Sequence, residues 1–347
     1  MHNKTNKSMP LVRVLGVMAL VVTLAGCSVN PLHKITGDVM TGYAQKENTP
    51  YVLAMTDIEM ACSLGESVDP LLYSFSRVTM APEKTGTLLQ ILSGICMEQR
   101  AVEEELRYLR ADYNGNTGNM RDARENMQRL YGITANRRVE AYQRMLRGFS
   151  YDPVPGAECP DFYTDQDEIT FLLGLAAGAQ AVIDNGKARG RAEVPRSIAA
   201  EVERSADCVD NEKWAGLPKA LQASIWVLLP DLRPNKDVDP WATLKNSREL
   251  GFERGLRTSA ALELLMAENV GKDKVIADSL AYLERTRDEF QVNPEYSLPD
   301  LVGMRIAWAV SDRIWTEKYG YRTPRDQFGK TGKETDSKDD VDTEGLL

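Results

Sequence analysis

The sequence holds two histidines, His2 and His33, and five cysteines. So few imidazoles exclude a Ser-His-Asp triad, a three-histidine zinc site and an HExxH helix, and a Cys-His dyad would have to reach back to the N-terminus. Neither a GxSxG nucleophile elbow nor a GxGxxG dinucleotide loop occurs. Gly329-Lys330-Thr331-Gly332-Lys333-Glu334 has the look of a phosphate loop, but it lacks the first glycine at the required spacing and no strand pattern precedes it. The 51 acidic residues leave a carboxylate pair as the one hydrolytic arrangement that needs no motif. These residue types favour a protein that binds and does not catalyse, with no cofactor and no metal. A formal charge of −9 argues against nucleic acid as a partner, which would call for a basic surface.

The elements that would position any such chemistry begin with an address. Lys4, Lys7 and Arg13 precede an apolar run, Val14 to Val22, which ends at Leu24-Ala25-Gly26-Cys27. A charged start, a short apolar core and small residues at the cut describe a secretory signal over residues 1–26, too short for a membrane span. Leu-Ala-Gly-Cys resembles the bacterial lipobox. The resemblance implies cleavage before Cys27, lipid on its sulfur and amine, and anchoring in the cell envelope. Ser28 after the cysteine goes with outer-membrane sorting, facing the periplasm. In that oxidising compartment Cys62, Cys96, Cys159 and Cys208 are expected to form two disulfides, and three connectivities are open. The sequence-local choice is Cys62–Cys96 with Cys159–Cys208. No pair has the CxxC spacing of a zinc site.

The body reads as all-α. Residues 27–48 are expected to be a polar, lipidated tether and residues 49–322 a helical domain. Thr49-Pro50 gives an N-cap and a proline at the first helical position, with apolar residues from Val52 to Cys62 at mostly helical spacing and a stop at Gly65. Ala81-Pro82 opens a helix with a stripe from Leu88 to Leu109, and Asn114-Gly115 marks a turn. Asp122 to Phe149 is helical, with a bend expected at Gly132. Its arginines (124, 129, 137, 138, 144 and 147) are read as a solvated face in preference to a basic groove. Thr164 with Asp167 caps the next helix, which is apolar nearly all round, so a central position is expected. Gly174 and Gly178 on one of its faces permit a very close neighbour, either in a packed core or beside an apolar cavity. Further helices are expected at Arg196–Cys208, Lys219–Leu229, Trp241–Met266, Lys274–Gln291 and Pro299–Lys318, punctuated by prolines. The segment 323–347, with Phe328 its one aromatic, is expected to be a disordered acidic tail.

Cys62 and Cys96 stand 34 residues apart, the tetratricopeptide period, and Phe290 to Tyr296 resembles the end of such a repeat with its Asn-Pro stop. This suggests antiparallel helical hairpins of degenerate tetratricopeptide type. In order along the chain stand the lipobox, Asn48-Thr49-Pro50, Thr87-Leu88-Leu89, Asp122-Ala123-Arg124 with Leu130-Tyr131-Gly132, the Phe171–Ala179 helix, Gly251-Phe252-Glu253-Arg254-Gly255-Leu256 and Arg305-Ile306-Ala307-Trp308-Ala309. Together these resemble the T-component family of TRAP transporters, the TatT-like periplasmic lipoproteins. The resemblance implies self-assembly, as a trimer, and association with the transporter's substrate-binding P-component. It also implies a pocket for a small organic or apolar ligand, and it brings no catalytic residues. Phe171, Gly174, Gly178, Trp226, Trp241 and Trp308 are the candidates for cavity or interface. The alternative is an outer-membrane tetratricopeptide-like scaffold in envelope assembly that binds no small molecule.

Overall fold

A computed structural model describes residues 30–332. The signal segment, Cys27 and residues 333–347 lie outside the described residues, and with them the acylation site and most of the expected tail. Among the described residues the secondary structure is helical, with no strand. The helices are α1 (Pro31–Tyr43), α2 (Thr49–Leu53), α3 (Ile58–Ser74), α4 (Glu83–Tyr113), α5 (Thr117–Gly148), α6 (Asp165–Lys187), α7 (Ile198–Ser205), α8 (Leu217–Leu228), α9 (Pro240–Glu253), α10 (Thr258–Asn269), α11 (Asp273–Arg285) and α12 (Ser297–Tyr319).

Helices α3 to α6 run alternately up and down. The α3–α4 pair is fixed by the Cys62–Cys96 disulfide, with Cα atoms 5.3 Å apart. A second disulfide, Cys159–Cys208 (Cα–Cα 5.4 Å), ties the loop before α6 to the turn after α7. Helices α4 and α5 have 31 and 32 residues, so each alone nearly fills a tetratricopeptide repeat. The C-terminal helices have the shorter lengths of such repeats: α9, α10 and α11 have 14, 12 and 13 residues. Helix α12 packs across both parts, against α4 on one side and α10 on the other.

The helix ends follow their local chemistry. Asp57, Asn116, Thr164 and Asp239 each accept a backbone N–H of the first turn, at α3, α5, α6 and α9. Several sequence expectations change. Gly65 does not stop a helix; it sits inside α3, where the backbone of α4 lies so close that a Cβ would meet Ser93 N at 2.6 Å and Leu89 O at 2.7 Å. Gly65→Val is therefore expected to destabilise the fold by about 3 kcal/mol, read as a lower denaturant midpoint, since backbone cannot yield as a flexible side chain can. Helix α5 is continuous through Gly132, which faces Ala188 and Arg191. The expected helix 241–266 is two, α9 and α10, because the carboxylate of Asp300 on α12 takes hydrogen bonds from the backbone N–H and the guanidinium of Arg257 and fixes a turn there.

Both expected loose ends are partly ordered. The expected tether contains α1, capped by Asn30 and started by Pro31, and a wider π-type turn over Ala44–Asn48. From the expected tail, residues 323–332 fold back on α12. Phe328 stacks on Trp308 with ring centroids 4.3 Å apart, and Trp315 Nε1 donates to the Lys330 carbonyl.

The arginines of α5 also depart from expectation. Arg129 and Arg147 are exposed, but Arg138 and Arg144 are buried. Helix α5 lies between α4 and α6 and must bury two faces, and its composition leaves charge on both. Arg138 bonds Asp184 of α6 and Glu98 of α4. Arg144 bonds Asp69 of α3 and Glu140, with its guanidinium 3.9 Å from the Tyr73 ring. These are bridges between helices and offer no basic groove.

Candidate functional site

Helix α6 is the centre of the molecule. It is long and apolar enough to cross a membrane by length and composition, yet it is wrapped by other helices. Its two sides do different things. Gly174 and Gly178 face α5, where a Cβ would meet Met145 Cγ at 2.6 Å and Tyr142 Cδ2 at 2.8 Å. The glycines thus serve close packing and do not line a cavity. Phe171 is fully buried in an aromatic cluster with Phe149, Tyr151 and Phe162, with centroids 5.2–5.5 Å from its own ring. Trp226 is core, its Nε1 donating to Glu203. Trp241 is half-buried under the Lys272 ammonium. Of the six candidates, Trp308 lines a cavity wall.

The opposite side of α6 does line open space. Leu173, Ala176, Ala177 and Gln180 form one wall of an apolar slot of about 80 Å³. Leu88, Ile91, Leu92 and Ile95 of α4 and Val302 and Ile306 of α12 close it. Ala176, Gln180 and Leu262 are shared with a second apolar pocket of about 110 Å³, bounded by α8 and α10. Ile306 is shared with a crevice of about 220 Å³ that has a different chemistry. Charged side chains line this crevice: Glu98 and Glu103 of α4, Lys187 of α6, Arg305 and Arg313 of α12, and Arg322. The three spaces therefore lie side by side, apolar, apolar, polar, with walls that share residues.

Most charges in the crevice are matched. Glu105 beneath it accepts from the Tyr131 hydroxyl (2.8 Å) and lies 3.5 Å from both Lys187 and Arg313. Burial alone would raise this carboxyl, but Arg313 and Lys187, with the Tyr131 hydrogen bond, outweigh it and hold Glu105 below the ordinary carboxylate range. Burial, and then Glu105 itself, push the Tyr131 hydroxyl well up. Arg313 is chelated by Glu268 through Nε and Nη2, at 2.7 and 2.5 Å. Arg305 differs. Its Nη2 bonds Glu59 at 2.6 Å, while its Nη1 is buried with no hydrogen-bond partner. A buried guanidinium nitrogen without an acceptor marks a place where an acceptor would be gained.

Behind the crevice lies the Asp184–Arg138–Glu98 network. Burial pushes Asp184 up to about 6, against the pull of Arg138 and with the help of the Glu98 charge. In the unfolded chain the same carboxyl titrates near 3.8. Between those values the folded state holds more protons, so the contribution of Asp184 to stability is full below the lower value and is lost as pH rises through about 6. Asp184→Asn keeps the neutral form at every pH. The stability of the native protein relative to this variant is expected to fall by on the order of 2 kcal/mol between pH 4 and pH 7, measured by urea unfolding at each pH.

The chain matches no protein-family model, no curated protein and no solved structure. Among the described residues no group of three or more His, Cys, Asp or Glu side chains is placed to hold a metal ion. His33, the one histidine described, is exposed on α1. Of the cavity-lining residues Leu173, Ala176, Gln180, Arg305 and Ile306, none was among the site candidates of the sequence, although all but Gln180 fall in the segments that carry the family resemblance. The signal for them was present in the all-round apolar character of α6, which needs a second apolar partner beyond the one its glycines admit.

Proposed function

We propose that this is a lipid-anchored periplasmic binding protein, the accessory T component of a TRAP-type uptake system. In this reading it docks on the substrate-binding P-component, self-associates, and holds a small organic ligand. The observation that carries the ligand part is the adjacency of the apolar slot and the charged crevice, which share Ile306 in their walls, next to an unpartnered nitrogen of Arg305. Such a site suits an amphiphile, with its apolar end between α6 and α12 and an anionic or carbonyl head at Arg305. The order of the sequence motifs supports the transport context, and the scarcity of histidine, with His33 exposed on α1 as the one described, fits binding over catalysis.

The apolar compartments are each smaller than the ~150 Å³ that admits benzene in an engineered core. A ligand longer than a few carbons must therefore spread α12 from α6, and its binding would report that opening. The protein with its acyl group, purified in detergent and sprayed under native conditions, gives the test. A discrete oligomer that carries a co-purified organic mass, with affinity for the P-component encoded beside it, supports the proposal. A ligand-free monomer that ignores the P-component and binds envelope-assembly proteins instead supports the scaffold alternative.

A further inference from the structure

Helix α1 is amphipathic in the reverse sense for a helix on a soluble domain. Leu32, Ile35, Val39 and Tyr43 follow one another at i, i+3, i+7 and i+11, so they share a face, with Met40 at its edge. All five are exposed, from 43% at Met40 to 71% at Leu32. The side turned to the body is the small and polar one. Gly37 is buried against Phe75 and Thr79, Asp38 bonds the Thr79 hydroxyl and the Lys34 ammonium, and Thr41 lines the same cleft. Met80, 87% exposed, lines the same cleft. A folded domain that spends its polar side chains on packing and turns a stripe of large apolar ones outward has left that stripe for another phase or partner.

The chain itself says which. Ser28, Val29 and Asn30 separate Cys27 from Pro31. Fully extended, the four steps from Cys27 to Pro31 reach at most about 14 Å. If acyl chains on Cys27 are in a bilayer, the start of α1 cannot stand farther off than that, and the helix begins at the headgroup layer. We infer that α1 lies in the membrane surface, with the face of Leu32, Ile35, Val39 and Tyr43 sunk at the boundary of headgroups and acyl chains. This inference rests on acylation of Cys27. Interfacial helices seat their apolar face about 5–10 Å into that boundary, and a lipid anchor with a second membrane-binding element holds far better than one alone. The exposed side chains of Arg77, on the cleft wall, and Lys46, just beyond α1, stand ready for phosphate headgroups. The consequence is a fixed orientation. The body does not swing on a tether; α1, packed on the 75–80 turn, sets its pose on the bilayer.

The acylated full-length protein in phosphatidylethanolamine–phosphatidylglycerol vesicles provides the test. The four body cysteines are paired, so a fluorophore can be placed at Val39→Cys, at Tyr43→Cys, or at Asp288→Cys as a water-exposed reference. Acyl-chain-brominated lipid should quench the first two labels and leave the third unchanged. Ile35→Glu/Val39→Glu should abolish the quenching at Tyr43→Cys while the circular dichroism stays the same, because both side chains are exposed on the outward face. The mass of the N-terminal peptide reports acylation separately. An acylated Cys27 with unquenched labels overturns the inference and leaves the anchor standing. An unacylated chain whose labels are nonetheless quenched overturns the anchor and keeps the membrane face. Disulfide cross-linking of two copies of the unlabelled Val39→Cys variant, with no quenching of the labelled one, overturns the membrane face in favour of self-association.

Discussion

An Arg138→Met variant is expected to lose about 3–5 kcal/mol of stability near pH 7, the largest single effect in the molecule. Arg138 is buried, and so is Asp184, whose carboxylate it pairs. Removing the cation takes away the partner that holds the Asp184 carboxyl down against burial, so near neutral pH the interior must either keep an unpaired carboxylate or take up a proton there. The other cation close to Asp184 is Lys187, which Glu105 already shares. The variant should escape part of the loss by protonating Asp184, so the destabilisation should shrink toward pH 5. Two further variants separate pairing from packing. Asp184→Leu alone strands Arg138 less severely, because Glu98 still accepts from Nη2 at 2.7 Å. Arg138→Met with Asp184→Leu places two apolar side chains face to face and should recover most of the stability, since a buried ion pair adds little over a well-packed apolar pair. Urea unfolding of the three variants at pH 5 and pH 7.5 checks this. Arg138→Met as stable as the native protein would show that the pair is hydrated.

The second large effect concerns the ligand. Ala176→Phe is expected to weaken binding of an apolar amphiphile at least about tenfold, which corresponds to about 1.4 kcal/mol, with the thermal midpoint unchanged or raised. Ala176 stands on the cavity side of α6 and borders both apolar compartments. A ring there occupies space that no protein atom fills, so it takes the place of the ligand and adds contacts in its absence. Gly178→Leu, on the other side of the same helix, is the contrast. Its Cβ alone would meet Tyr142 and Ile198 at 2.8–3.1 Å, and it should unfold the protein before it affects a ligand. Isothermal titration with decanoate and with decanol separates the compartments further. Tighter binding of the carboxylate, lost in Arg305→Gln, would place the head at Arg305. If Ala176→Phe binds decanoate as well as the native chain does, the slot is not the site.

Much of the architecture is written locally. Thr164 with Asp167, Asp239 with Pro240, and Asn114-Gly115 mark helix ends by side-chain chemistry that needs no distant partner. Asn30-Pro31 carries the cap-and-proline signature and does open α1, whereas Thr49, expected to cap a helix, lies within a continuous helical run and its hydroxyl donates back to the Ala44 carbonyl. The polar composition around α1 hid that helix, because polarity is a poor guide to the order of a segment whose polar side packs. Phe328 was equally visible as the lone aromatic of an acidic tail, but its partner Trp308 stands on a different element, brought there only by the fold.

The site was far less legible. Glu59 and Arg305 form an ion pair across 246 residues of sequence. The periodicity of α6 showed that it would be central without saying which face its glycines would close and which would stay open. By itself the sequence determined the helical class, some of the helix starts, the disulfide-forming cysteines and the scarcity of imidazole. All of these depend on a residue and its near neighbours. Only the tertiary structure decided that Arg138 and Arg144 are interior, that the open space lies along Ala176 and Ile306, and that α1 turns its apolar face outward. A helix repeats every 3.6 residues and advertises one apolar stripe, but a helix between two others must bury two. Which side chain meets which is then set by packing among elements far apart in the chain.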